Sequence, residues 1–468
     1  MRATSDATLP LLAASRPDQV VAWRRGHPVR AAAFLADVSR VASALPPARH
    51  VINLCGERYR FAVVFCAAQL GRRTCLLPPN HAPALIDRLR RTHDEVLVVA
   101  DGEVPGVDGP VFAYPDDTDA GVPAHSDGAG TAPAIDADFA SRVPRVPVDH
   151  VAACVFTSGS TGEPSAHPKS WGMLVRNAQG AARRLGIGPA RTCTLLGTVP
   201  GQHMYGFEST ILLALHNGVA FHGGRPFYPA DVVDALGAID GDRVLVTTPF
   251  HLRSLLAGAP ELPPLRLILC ATAPLSAEIA AEAERRLGAP LLEIYGCTEA
   301  GQIATRRTVD DDAWTTFDGV RIDRRDDGWF ASGGHVEFDT RLSDRLELLD
   351  PTHFRLLGRD NDMVNVAGKR TSIGYLDAML LSIPGVEDAA FVHREGRPGE
   401  VDRLTAFFVG AGLEPADVIA SLRRLIDPVF LPRPLHRLER LPRIETGKLP
   451  RETLLALADR MRDAPRDR

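Results

Sequence analysis

Between residues 50 and 295, short apolar runs rich in β-branched residues alternate with stretches patterned as helices. This alternation constrains the fold more than any other feature of the chain. Strands separated by helices pair in parallel through right-handed crossovers, so the expected class is α/β with layered sheets. The runs 50–54, 96–100 and 151–155 read as strands, and 61–70 and 84–92 as helices. Further on, helices are expected at 174–185, 208–215, 230–239 and 277–287, with strands at 192–197, 219–222, 243–246, 266–270 and 291–295. Residues 101–147 break the pattern, being rich in Gly, Pro, Ala and Asp, and read as a long surface excursion. A second break near Gly358 leads into a more charged segment, expected to form a small α+β domain.

Composition narrows the function classes. With 45% hydrophobic and 24% charged residues the chain is globular rather than disordered. A net charge of -5 argues against a nucleic-acid scaffold. Seven cysteines without a CxxC pair fit neither a disulfide framework nor a zinc ribbon. The apolar stretch 9–14 before Arg16 is too short for a secretion signal, and no run approaches the roughly 20 apolar residues of a membrane helix. A cytoplasmic protein without membrane or nucleic-acid partners is expected.

Four motifs carry chemistry. FTSGSTGEP, from Phe156 to Pro164, follows the strand 151–155 and offers unobstructed backbone N–H groups at Gly159 and Gly162. Hydroxyls at Thr157, Ser158, Ser160 and Thr161 add to them. A strand feeding such a loop is a phosphate cradle, although a flexible surface loop has a similar composition. It lacks the Gly-Lys-Ser/Thr ending of a Walker loop. IYGCTEAG, from Ile294 to Gly301, stands at the end of a strand, where ligands bind α/β sheets. There Glu299 offers Mg²⁺ an oxygen, Thr298 can bond a phosphate and Tyr295 presents a flat face. GRDNDMVNVAGKR, from Gly358 to Arg370, carries Arg359 and Arg370, with Asp344 upstream. A carboxylate with an arginine alongside suits the two hydroxyls of a ribose; a charged turn reads the same way. LPRIETGKLPRETL places Lys448 after Gly447, where a lone lysine is ordinarily solvated.

In this order and spacing the four motifs resemble the adenylate-forming superfamily, which includes acyl- and aryl-CoA synthetases, nonribosomal peptide adenylation domains and luciferases. The resemblance covers residues 151–454. It implies a large ATP- and carboxylate-binding domain, 1–358, a small mobile lid, 359–468, and a hinge at Asn361. ATP and Mg²⁺ are the implied cofactors, and the acceptor is a phosphopantetheine thiol. The loop 157–162 would hold the β- and γ-phosphates, Thr298 the α-phosphate and Glu299 the metal. Ala271, Thr272 and Ala273 match the segment beside adenine, with Tyr295 covering the ring. Asp344 and Arg359 would hold the ribose, Arg370 a phosphate, and Lys448 would bridge the attacking carboxylate and the α-phosphate. Two departures stand out: Ser165-Ala166-His167-Pro168-Lys169 replaces the usual Lys-Gly after the loop, and Asn361 replaces a common Asp.

The substrate-gating segment corresponds to PGQHMYGFE, from Pro200 to Glu208. His203, Tyr205 and Phe207 suggest walls for a flat acid, while Gly206 and Gly296 leave space. The segment is similar to that of hydroxybenzoate ligases in aryl polyene and xanthomonadin-type pigment biosynthesis, which load an acyl carrier protein. The expected substrate is therefore an aryl carboxylic acid, 4-hydroxybenzoate or 3-hydroxybenzoate. Arg433, Arg437, Arg440 and Arg443 would receive an acidic carrier helix. Transfer to free CoA, and a nucleotide-binding subunit without turnover, are the competing readings.

Overall fold

A computed structural model describes residues 7–78, 80–115, 136–157, 165–259, 261–326, 328–359, 363–366, 369–394, 403–444, 447 and 449–463. Two large sheets dominate. One has six strands among the described residues, in the order Ser165–Ser170, Val151–Thr157, Thr74–Leu77, His50–Asn53, Val96–Ala100 and Val111–Ala113. All its pairings are parallel except the first, where Ser165–Ser170 folds back antiparallel on Val151–Thr157.

The second sheet has eleven described strands and is mixed. Its centre runs parallel through Leu291–Cys297, Leu267–Cys270, Arg243–Thr247, Thr194–Gly197, Ala220–His222 and Val20–Arg24. Beyond Leu291–Cys297 it turns antiparallel through Gly301–Arg306, Trp314–Thr316, His353–Arg359 and Asp344–Asp350. The alternation of strands and helices gave no warning of these antiparallel additions, because hairpins need no intervening helix.

Helices Arg58–Leu70 and Trp171–Leu185 supply much of the main core, with Phe65 stacked on Trp171 at 6.3 Å between ring centroids. Trp171–Leu185 begins where Ser170 accepts a hydrogen bond from the Met173 N–H at 2.9 Å, and it stops at Gly186, whose φ of 62° is left-handed. The segment expected as a helix over 208–215 is helical but wound as a π-helix over Phe207–Leu212, a form that recurs at functional sites. The expected excursion 101–147 is partly built into the body. Val111–Ala113 extends the six-stranded sheet, and Arg145–Pro147 pairs with Thr8–Pro10.

C-terminal to residue 359, an antiparallel pair, Asp388–Arg394 and Arg403–Val409, is joined in parallel by Leu435–Arg437. Helices Ile373–Leu381 and Pro415–Leu422 cover it over a separate apolar cluster that includes Leu376, Phe408 and Leu422. Large layered α/β and small α+β parts thus match the expected fold class. No helix of the described residues is long and apolar enough to cross a membrane, and all seven cysteines are free thiols.

Candidate active site

The parallel strands of the large sheet all end on one side, and the motif residues follow those ends. After Leu267–Cys270 the chain enters Ala271, Thr272 and Ala273, with Thr272 at φ 86°. Positive φ is costly for a β-branched residue and marks a backbone held by its surroundings. Leu291–Cys297 runs in parallel beside it and opens into Thr298 and Glu299. Thr298 is half-buried and Glu299 exposed, its side chain 44% accessible.

Tyr295 is 8% exposed and held edge-on by Phe354 and tilted against Trp314. Its hydroxyl donates to Asp344 Oδ2 at 2.7 Å. Asp344 in turn lies opposite Arg359 in the register of the two antiparallel strands. Tyr295, on an interior strand, is thereby brought to the edge-strand pair of Asp344 and Arg359, with Asp344 lying 49 residues on in sequence. Arg370 lies opposite Asn365 in the hairpin that follows.

The phosphate-loop strand Val151–Thr157 approaches from the other sheet. Ser158, Gly159, Ser160, Thr161 and Gly162 lie outside the described residues, as do Asn361 and Lys448. The flank of the loop is described: His167 Nε2 stands 3.6 Å from Glu299 Oε1. Glu299 therefore faces the return strand of the loop. An accessible carboxylate such as Glu299 suits Mg²⁺, which keeps several waters and takes few protein ligands.

The small C-terminal part reaches the same strand ends. Arg443 makes a two-pronged pair with buried Asp388, at 2.6 Å and 2.8 Å, and donates to the Gly447 carbonyl at 2.8 Å. Gly447 rests on the start of helix Pro249–Gly258: a methyl added there would lie 3.0 Å from Phe250 Cβ. The residue before Lys448 is thus anchored at a strand end of the large sheet.

In the gating segment the side chains divide. Tyr205 is 7% exposed and its hydroxyl is buried beside Thr247 and Cys270, at the ends of two central strands. It makes no well-formed side-chain hydrogen bond among the described residues. His203 is half-buried at the start of the turn. Phe207 points the other way, fully buried against Phe61 and Phe65, so it is core and not a pocket wall. Gly206 does not leave the expected space, whereas Gly296 is exposed. A Cβ on Gly206 would lie 2.2 Å from the Pro200 carbonyl oxygen, and one on Gly296 would lie 2.2 Å from that of Gly301. Both glycines are set by close backbone approach.

Sequence reading missed a buried set at the same strand ends. Thr198 Oγ1 meets Thr247 Oγ1 at 3.0 Å and His251 Nδ1 at 2.9 Å. These are isolated polar residues in apolar runs, and only the strand order brings them together.

Residues 13–321 match the family model described as AMP-binding enzyme. The chain belongs to that family. It is an adenylate-forming acid–thiol ligase, which uses ATP to convert a carboxylic acid to an acyl-AMP. A 4-coumarate–CoA ligase of Rhodobacter capsulatus is 34% identical over 278 residues, 58% of this chain and 67% of that one. The o-succinylbenzoate CoA synthetase of Bacillus subtilis bound to its acyl-adenylate intermediate superposes with a TM-score of 0.78 at 18% identity, over 98% of this chain and 99% of its own. The same synthetase with ATP and magnesium ion gives 0.77 at 18%, over 94% and 97%.

Proposed function

We propose that this AMP-binding enzyme activates a monocyclic aryl carboxylic acid, such as 4-hydroxybenzoate or 3-hydroxybenzoate, and passes the acyl group to the thiol of coenzyme A. The observation that carries the nucleotide half is the contact of Tyr295 with Asp344 opposite Arg359, at the strand end that also bears Glu299. Asp344 and Arg359 hold the ribose, with Tyr295 orienting the carboxylate. Ala271, Thr272 and Ala273 line the adenine, and Thr298 bonds the α-phosphate. The loop from Thr157 to Gly162 cradles the β- and γ-phosphates, with Arg370 as a further phosphate contact. Glu299 holds Mg²⁺, which neutralises phosphate charge when bound. Lys448 draws the attacking carboxylate towards the α-phosphate.

The aryl reading is supported by Tyr205, which sets an aromatic ring beside Thr247 and Cys270 at the ends of two central strands. Relatives named for 4-coumarate and o-succinylbenzoate also act on aryl acids. The same names favour CoA as acceptor. The alternative acceptor, a carrier protein, loses part of its expected docking surface, since Arg443 is committed to Asp388 and Arg437 pairs with Glu414. The chain divides near residues 358–361 into domains 1–358 and 359–468, and the smaller rotates between half-reactions to exchange the groups over one site.

Pyrophosphate exchange with a panel of acids, followed by thioester formation with CoA and with holo carrier protein, tests this reading. A hydroxybenzoate or hydroxycinnamate should turn over fastest, and with CoA. Faster turnover of a medium-chain fatty acid would sink the aryl claim, and faster transfer to the carrier would reassign the acceptor.

Replacing Asp344 checks the ribose site. Asp344→Ala removes a charged acceptor for two hydroxyls and strands the Tyr295 hydroxyl. The KM for ATP should rise roughly 10- to 100-fold, with kcat little changed, because hydrogen bonds to charged groups contribute about 1.5–3 kcal/mol and this one is made equally in ground and transition states. An unchanged KM for ATP in a folded variant removes Asp344 from the site.

A further inference from the structure

The phosphate loop lacks its usual lysine, and the nearest one, Lys169, goes elsewhere. Lys169 is 1% exposed, and its Nζ donates to the main-chain carbonyl of Glu299 at 2.5 Å. The two residues belong to different sheets: Lys169 to the strand Ser165–Ser170 returning from the loop, Glu299 to the turn after Leu291–Cys297. His167, two residues earlier and so on the same strand face, stands by the carboxylate of that same glutamate. One strand face thus addresses both ends of Glu299.

The rest of the turn is held from the same buried side. His335 Nε2 lies 3.1 Å from the Ala300 carbonyl, and Asn177 Nδ2 donates to the Gln302 carbonyl at 3.1 Å. Glu208, buried beneath Gly301, is among the acidic groups that favour the Lys169 charge; Cys297, Glu299 and Glu337 act in the same sense. A buried ammonium loses several kcal/mol of hydration, so one retained here needs a structural return.

We propose that Lys169 is a positioning residue: it ties the Glu299 turn to the strand Ser165–Ser170, so that the metal carboxylate is held in one prearranged position. This rests on the reading of Glu299 as the magnesium ligand. Groups that orient a metal ligand typically change metal affinity or activity by roughly 10- to 100-fold when removed.

The test is a double-mutant cycle on the full chain, reading the Mg²⁺ concentration for half-maximal pyrophosphate exchange, with the Kd for Mn²⁺ in the presence of ATP, followed by electron paramagnetic resonance, expected to move with it. Lys169→Met should raise it roughly 10- to 100-fold and lower kcat, leaving the KM for the acid unaltered. Glu299→Gln should raise it as well, and Lys169→Met/Glu299→Gln should resemble Glu299→Gln alone, because Lys169 acts through that carboxylate. Should Lys169→Met fail to accumulate, Lys169→Met/Glu208→Gln, which leaves no unpaired buried charge, replaces it throughout the cycle. Additive effects of Lys169 and Glu299, or a folded Lys169 variant with the parent Mg²⁺ requirement, overturn the proposal. An unchanged requirement in Glu299→Gln instead overturns the magnesium reading, and the proposal with it.

Discussion

Lys448→Ala is expected to slow acyl-adenylate formation by roughly 10²–10³-fold, the loss seen when one preorganised electrostatic donor is removed from a closed site. Thioester formation from preformed acyl adenylate should stay near the parent rate. The reason lies in the charges: a carboxylate must approach an anionic phosphate only in the first half-reaction, so a bridging cation matters only there. The residue next to Lys448 is already held for that task. Arg443 grips the Gly447 carbonyl while paired with Asp388, and Gly447 rests on Phe250. Single-turnover assays of each half-reaction check the split. Equal losses in both would assign Lys448 to folding or general binding.

The parts of this site legible in the sequence are those whose chemistry is local. The strand before the Gly/Ser/Thr run and the strand before Glu299 are both found where the apolar runs lie. The strand 96–100 and the helix 277–287 appear at their expected bounds, because periodicity is a local property. What could not be read depends on strand order. Asp344 meets Tyr295 only because an antiparallel pair is appended to the parallel sheet, and no helix separates those strands to signal it. Phe207 looked like a pocket wall beside Tyr205, yet the π-wound turn sends it into the core against Phe65. Gly206 suggested open space, whereas the Pro200 carbonyl occupies it. The segment that replaces the usual Lys-Gly gave no sign of where Lys169 goes, and its target is the main-chain carbonyl of Glu299, in the turn after a strand of the other sheet.

The same dependence on strand order hides Arg58, whose replacement carries the largest expected cost to stability. It sits at the first position of helix Arg58–Leu70 with 1% of its surface exposed. Among the described residues no carboxylate partners it; its guanidinium donates instead to four main-chain carbonyls. Nη2 reaches Gly197 at 2.8 Å and Val199 at 2.7 Å, while Nη1 reaches His222 at 3.2 Å and also Gly224. Burial, with Arg225 nearby, brings its pKa down to about 9, so it remains a cation at neutral pH. These carbonyls belong to the ends of two neighbouring strands and to the entry of the gating segment. Arg58→Met keeps much of the bulk but strands all four, at about 1–3 kcal/mol for each unsatisfied group. Relief from burying a charge offsets part of this, leaving a net loss of about 3–5 kcal/mol. Thermal melting followed by circular dichroism should show a midpoint about 5–10 °C lower, and Arg58→Lys, with fewer donors, should fall between. A variant melting with the parent would mean that water can replace the guanidinium, and that these strand ends do not depend on it.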